Sequence, residues 1–320
     1  MNIHAPPFGA YRAVKAHHFL RDSDLSADEL RSLLDLARRV KIQPELYRDA
    51  LRHRAVALLF EKPSLRTRMT IELAALQLGG FGVFQDHRDG RIGEREPARD
   101  IARNLDRWFD AIVARTYSHK TLESLAAWSK VPVINALSES YHPCQALADF
   151  LTVLEVYGSF EGLKMAYVGD GNNVAHSLMH SAAQLGVSIS ICSPAGYGPR
   201  PDDLALARAA AARSGSAVEV VSDIWEAVDG AAAVYTDVWT SMGWEDETQQ
   251  RRIAFSDYQV TDEVMAAARD GAVFMHCLPA LRGQEVSDSV IESAQSVVFD
   301  QAENRLHAHK ALLLMMLGGS

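Results

Sequence analysis

This 320-residue chain is poor in cysteine: Cys144, Cys192 and Cys277 stand far apart, with no CxxC pair. That scarcity excludes a disulfide framework and the common thiolate zinc sites, and it suits a reducing compartment, so a cytoplasmic protein is expected. Long hydrophobic runs are missing too, since no stretch reaches the about 18 apolar residues of a membrane span. The first 20 residues mix Pro, His, Arg and Lys without an apolar core, so neither a signal peptide nor a membrane partner is expected. Nor is there a basic excess: 32 Lys and Arg face 41 Asp and Glu, a net charge of -9 with no basic run. Nucleic acid and anionic membranes are thereby excluded as main partners, and a small anionic substrate would need a locally positive pocket. Internal repeats and low-complexity tracts are absent.

What is present is apolar residue in quantity, 48% of a chain longer than single cores usually serve, which predicts two domains. Ser26-Ala27-Asp28-Glu29 has the form of a capping box, and Leu30, Leu33, Leu34, Ala37 and Val40 follow at helical spacing. Residues 55–60 read as a buried parallel strand, and 69–78 as a helix closing at Gly79-Gly80. Short apolar runs at 81–84, 111–114 and 131–134 are separated by helical stretches near 98–108 and 121–128, and 145–157 reads as one long helix. A second alternating series follows, with apolar runs at 165–168, 187–191, 218–221, 231–235, 272–275 and 296–299, and helices over 174–185 and 204–213. Residues 303–317 form a terminal amphipathic helix, expected to pack on the first domain. The pattern predicts an α/β protein of two open parallel-sheet domains joined by long helices, with the active site in the cleft between them. The expected division is 1–148 plus 303–320 for the first domain and 149–302 for the second.

In open α/β sheets, ligands bind outside the carboxyl ends of the strands, so polar residues at strand exits carry the functional signal. Ser64-Leu65-Arg66-Thr67-Arg68 sets two hydroxyls and two guanidiniums where a strand gives way to a helix, a place that favours phosphate. Taken alone, it reads equally well as a capped helix with two surface arginines. Arg115, Asn135 and His142-Pro143-Cys144-Gln145 follow the next strands, and their convergence could neutralise a phosphate and polarise a neighbouring carbonyl. Gly169-Asp170-Gly171-Asn172-Asn173 resembles a dinucleotide loop only superficially, because the third glycine of GxGxxG falls on Val174. Asn173 could hold a carboxylate or an amine there. Asp237, four residues before Ser241, suits an ammonium group, or else a turn. His276-Cys277-Leu278-Pro279 carries a lone thiol whose neighbouring histidine should point away, which disfavours covalent catalysis. Arg305 reaches a pocket only if the last helix docks on the first domain.

Together, Ser64–Arg68 as SxRTR, residues 142–145 as HPxQ, Asp237 with Ser241-Met242-Gly243, and His276-Cys277-Leu278-Pro279 resemble the motif set of the ornithine carbamoyltransferase family, in its order and nearly end to end. SxRTR and HPxQ are shared with aspartate carbamoyltransferases, whereas SMG and HCLP point to the ornithine branch. The resemblance implies transfer of a carbamoyl group from carbamoyl phosphate to the δ-amine of L-ornithine, giving L-citrulline and phosphate. Arginine biosynthesis is the expected pathway, although one reaction serves both arginine synthesis and citrulline breakdown. Carbamoyl phosphate would be bound by Ser64, Leu65, Arg66, Thr67, Arg115, His142, Gln145, Cys277, Leu278 and Arg305, and ornithine by Asn173, Asp237, Ser241 and Met242. The catalytic residues implied are Arg66, Arg115, His142, Asp237 and Cys277, with no cofactor and no metal. A homotrimer or a multiple of trimers is implied as well, each site borrowing a residue from a neighbour, expected within 86–96. Leu65 departs from the threonine common in the family, which spares a backbone contact and loses a hydroxyl one. Three alternatives stay open: a nicotinamide-dependent oxidoreductase, a carbamoyltransferase-like binding subunit, and a transferase for putrescine or an N-acylated ornithine.

Overall fold

A computed structural model describes residues 14–88, 90–240 and 244–318. The chain divides into two compact units, Met1–Leu147 with Arg305–Ser320, and Ala148–Asn304.

The first unit runs through α1 (Ala27–Ile42), β1 (Ala55–Phe60), α2 (Leu65–Gln77), β2 (Phe81–Asp86), α3 (Ala98–Leu105), β3 (Ala111–Arg115), α4 (His119–Trp128) and β4 (Val133–Leu137). It ends inside α5 (Pro143–Tyr157). The capping box at Ser26 forms as expected: Ser26 Oγ accepts the Glu29 N–H at 3.3 Å, and the Glu29 carboxylate accepts the Ser26 N–H at 2.9 Å. The four strands are parallel in the order β2-β1-β3-β4. Every residue of β1, β3 and β4 is buried, as strands covered on both faces require, whereas the edge strand β2 is largely exposed. Leu59, Ile112, Leu122, Leu125 and Val133 meet in one apolar cluster beneath the sheet's polar exits.

The second unit contains β5 (Lys164–Val168), α6 (Asn173–Leu185), β6 (Ser188–Cys192), α7 (Pro201–Ser214), β7 (Val218–Val221), α8 (Ile224–Val228) and β8 (Ala233–Thr236). Then come α9 (Thr248–Ala254), α10 (Asp262–Ala267), β9 (Val273–His276), α11 (Asp288–Ile291) and α12 (Val298–Leu317), with the second boundary inside α12. Its strands are parallel in the order β7-β6-β5-β8-β9. Each unit is thus an open parallel-sheet α/β fold. In each, the strand order reverses once, between β1 and β3 and between β5 and β8, and loops leaving such switch points are where ligands bind.

Two expectations change. The apolar run 296–299 is not a strand: Ser296 makes one isolated bridge to Phe274, and the chain then turns into α12, which starts at Val298 and not near 303. An apolar stretch entering a buried helix carries the same local signature as a short strand. Asn135 is not at a strand exit but within β4, fully buried, with Nδ2 donating to the Leu20 carbonyl at 2.8 Å. It ties down the segment preceding α1.

Candidate active site

At the switch point of the first unit, Ser64 caps α2, its Oγ accepting the Thr67 N–H at 3.2 Å. The helix therefore opens one turn earlier than its apolar pattern suggests, and Leu65, Arg66 and Thr67 form its first turn. Thr67 Oγ1 accepts Arg305 Nη2 at 2.8 Å, and Arg305 Nη1 donates to Gln145 Oε1 in a short hydrogen bond. Thr67, Arg115, His142, Gln145 and Arg305 are all buried. Leu65 stands apart from them at 74% exposed, so its backbone is the part that the helix start holds in place. Arg68 also leaves the group: its guanidinium lies 3.6 Å from the Phe84 ring and pairs with Glu72 at 3.2 Å.

Burial holds the His142 pKa well below the ordinary histidine range, and the charges of Arg305, Arg115 and Arg66 push it further down. A neutral imidazole among guanidiniums is what a strongly positive pocket produces, and such a pocket favours a dianion with hydrogen-bonding oxygens. His309, one helical turn beyond Arg305, is likewise held neutral by burial and by Arg305. Its Nδ1 lies 3.0 Å from Thr70 Oγ1, which donates to the Arg66 carbonyl at 2.6 Å. With the hydroxyl proton so committed, His309 Nδ1 is assigned as the donor to Thr70. Thr70 and His309 back the turn that carries Arg66, and no motif pointed to them. Cys144 within HPxQ is inert: burial pushes its thiol up to about 12, and it donates to the Asn135 carbonyl at 3.3 Å.

Two histidines kept neutral make stability depend on pH. Above their ordinary value of about 6.5 neither state binds the extra proton, and below it the unfolded chain does so first. Stability is therefore expected to be full above about pH 6.5 and to fall on acidification by up to about 1.4 kcal/mol per pH unit for each histidine. Urea midpoints between pH 7.5 and 5.5 measure this, and a slope left unchanged by replacing both His142 and His309 with glutamine would contradict it.

At the switch point of the second unit, Asn172 caps α6, its Oδ1 accepting the Val174 and Ala175 N–H groups at 2.9 and 3.2 Å. Asn172 Nδ2 donates to Asp237 Oδ2 at 2.9 Å, while Asp237 Oδ1 accepts the Val238 N–H at 2.8 Å and the Cys277 thiol at 3.0 Å. Asp237 is buried beneath these three donors. Sequence reasoning chose Asn173, the first residue of α6, for this exit, and missed Asn172 beside it. The signal was the general preference for asparagine at a helix N-cap. Gly171 has a structural duty, because a Cβ there would meet Pro199 N at 2.2 Å. Ser241 and Met242 lie outside the described residues.

Both ring nitrogens of His276 are engaged. Its Nε2 faces Glu285 Oε1 at 3.2 Å in full burial, and its Nδ1 accepts the Leu278 N–H at 2.8 Å. Glu285 also accepts the Leu281 N–H at 2.6 Å, so it pins both sides of the 277–281 loop, and nothing in the HCLP spacing announced it. Leu278 is held there at a φ of 56°, a left-handed conformation that costs a leucine about 1–2 kcal/mol. Donor atoms of Asp237, His276 and Cys277 lie within 4.8 Å of one another, a spacing that a metal could use. The hydrogen bonds oppose it: the one lone pair of the His276 ring is taken by Leu278, and the other nitrogen carries its proton toward Glu285.

Comparison with known proteins matches both units. The carbamoyl-P binding domain model of aspartate/ornithine carbamoyltransferases covers residues 17–155, and the Asp/Orn binding domain model covers 161–316. A curated ornithine carbamoyltransferase of Symbiobacterium thermophilum is 48% identical over 95% of this chain and 99% of its own length. An anabolic ornithine carbamoyltransferase of Pyrococcus furiosus is 46% identical over 92% of this chain and 95% of its own. A solved ornithine carbamoyltransferase structure from Pyrococcus furiosus superimposes with a TM-score of 0.93 at 44% identity, covering 96% of this chain and 99% of that one. On fold, on both domain models and on near-complete relatives, the chain belongs to the aspartate/ornithine carbamoyltransferase family.

Proposed function

We propose that the chain is an ornithine carbamoyltransferase, carrying the carbamoyl group of carbamoyl phosphate to the δ-amine of L-ornithine, with L-citrulline and phosphate as products and arginine biosynthesis as its pathway. The observation that carries this reading is the buried group of Thr67, Arg115, His142, Gln145 and Arg305 at the start of α2. Ser64, the backbone of Leu65 and the positive end of the helix at that first turn would receive the phosphate. Arg66, Thr67, Arg115 and the neutral His142 would face the carbamoyl oxygen, with Gln145 and Arg305 supporting them.

On the acceptor side, Asn173, Asp237, Ser241 and Met242 would hold ornithine, and Cys277 and Leu278 would lie near the reacting amine. An alkyl ammonium titrates near about 10.4, so the site must select the uncharged amine, and the Asp237–Cys277 pair would orient it. The amine lone pair forms the new C–N bond, and the tetrahedral oxyanion is held by the donors of the first unit. The bond between the carbamoyl carbon and the bridging oxygen then breaks, and phosphate leaves with that oxygen and the electron pair. The proton lost by nitrogen passes to Asp237 or to the departing phosphate. Nothing is oxidised or reduced, so no cofactor is called for.

A homotrimer, or a multiple of trimers, is part of this reading. It is supported by the exposed apolar residues Leu65, Met69 and Leu76, which the helical period sets on one face of α2, a feature of the kind that marks protein interfaces. A cytoplasmic location is proposed on the scarcity of cysteine and, among the described residues, the lack of a helix long and apolar enough to cross a membrane. The test is ureido-product formation from carbamoyl phosphate with ornithine, putrescine, acetylornithine and aspartate side by side. Ornithine is expected to exceed each of the others by at least about 100-fold in kcat/KM, a margin of about 2.7 kcal/mol. A faster alternative acceptor, or no product from ornithine, would overturn the reading.

A further inference from the structure

One buried guanidinium joins the two loops that leave the second unit's switch point. Arg251 on α9 has a side chain only 7% exposed. Its Nη1 donates to Asp170 Oδ2 at 2.8 Å and to the Trp239 carbonyl at 3.1 Å, and its Nε donates to Glu247 Oε2 at 2.9 Å. The rings of Tyr197 and Trp244 flank it at 5.1 and 5.6 Å. Asp170 sits in the loop after β5, two residues before Asn172, and its carbonyl accepts the Asn172 N–H at 2.7 Å. Trp239 sits in the loop after β8, two residues beyond Asp237. The hydrogen bond between Asn172 and Asp237 therefore closes a ring of contacts whose far side is Arg251.

Stability alone is a poor reason for such an arrangement. Burying a guanidinium and a carboxylate costs desolvation that their attraction only about repays, and apolar residues of the same volume often do as well. A planar fork reaching a carboxylate and a carbonyl at once does supply fixed geometry, which an apolar side chain or the single point charge of a lysine cannot. We infer that Arg251 is a positioning residue for the amine acceptor: by clamping the Asp170 and Trp239 loops together it sets the distance between Asn172 and Asp237, and so the place where the acceptor's nitrogen is received. This rests on the proposed assignment of the 172–173 and 237 loops to ornithine.

The test is steady-state kinetics with Arg251→Gln, Arg251→Lys, Asp170→Asn and, as a control on the exposed side of the same helix, Arg252→Gln. Arg251→Gln is expected to raise the ornithine KM at least tenfold with kcat within threefold and the carbamoyl phosphate KM unchanged. Asp170→Asn, which keeps the arginine and removes its anchor, should shift the same constant in the same direction, and serves if Arg251→Gln does not fold. Arg251→Lys should recover part of the loss, and Arg252→Gln should leave the ornithine KM within twofold. A lower Tm with both KM values unchanged, or an equal rise in both, would overturn the inference. If the unaltered protein makes no product from ornithine, the functional reading fails; if it does and the ornithine KM ignores Arg251, only the clamp fails.

Discussion

Asparagine in place of Asp237 is expected to lower kcat/KM for ornithine about 1,000-fold while carbamoyl phosphate binding stays within about threefold. The change is nearly isosteric, so its effect is chemical. Asp237 accepts from Asn172, Val238 and Cys277, and an amide has only one oxygen to offer them. At least one buried donor then faces an NH2 group, at about 1–3 kcal/mol, and the charge that draws the amine nitrogen is gone, at a further 1.5–3 kcal/mol. Together these come to about 4 kcal/mol, close to three powers of ten. The two ligands respond differently because none of the three donors belongs to the first unit. Steady-state rates with ornithine, paired with calorimetric titration of carbamoyl phosphate, measure both halves, and an equal loss for both ligands would remove Asp237 from the acceptor site.

Alanine at Arg66 should reduce citrulline formation by about 100- to 1,000-fold, the range found when one preformed oxyanion donor is lost. The backbone at this position is held independently of its side chain, since Thr70 donates to the Arg66 carbonyl at 2.6 Å and Ser64 caps the turn. Arg66 is also only half-buried, unlike Arg305, so the fold should tolerate its loss. What disappears is one of the charges that, together with burial, hold His142 neutral, and the guanidinium proposed to face the carbamoyl oxygen. Lysine should restore the charge without the fork and recover only part of the rate. A near-normal rate with an unchanged Tm would show that the group transferred does not meet Arg66.

How much of this was legible in the sequence varied with the kind of interaction. Parallel strands buried on both faces are written as continuous apolar runs, so 55–60, 111–114 and 165–168 could be read directly, together with the α/β class. The run 296–299 failed because a helix entering a core is apolar in the same way, and only pairing with β9 beyond a single bridge would have made it a strand. Motifs located the loops but not the partners within them. Asn172 and Asn173 are indistinguishable by composition, and only the fold shows that the amide of the cap meets Asp237. Arg66 and Arg68 likewise share a motif, yet the ring of Phe84 on the edge strand draws Arg68 away. Glu285, Thr70, His309 and Arg251 act across turns or between helices, at separations no local pattern encodes. Residue type and spacing therefore told which chemistry was available, while tertiary packing decided which of two neighbours would supply it.

The placement of Arg305 has a consequence for how the protein comes into being. Gln145 and Thr67 depend on a guanidinium 160 and 238 positions further along the chain. During synthesis, which proceeds from the N-terminus at about 5–20 residues per second, the sheet of the first unit can assemble early. Its anion pocket must wait until the whole of the second unit has emerged from the ribosome and the last helix has followed. An interrupted chain would then carry a folded sheet with an unfinished phosphate corner, unable to sequester a labile acyl phosphate that it has no means of using.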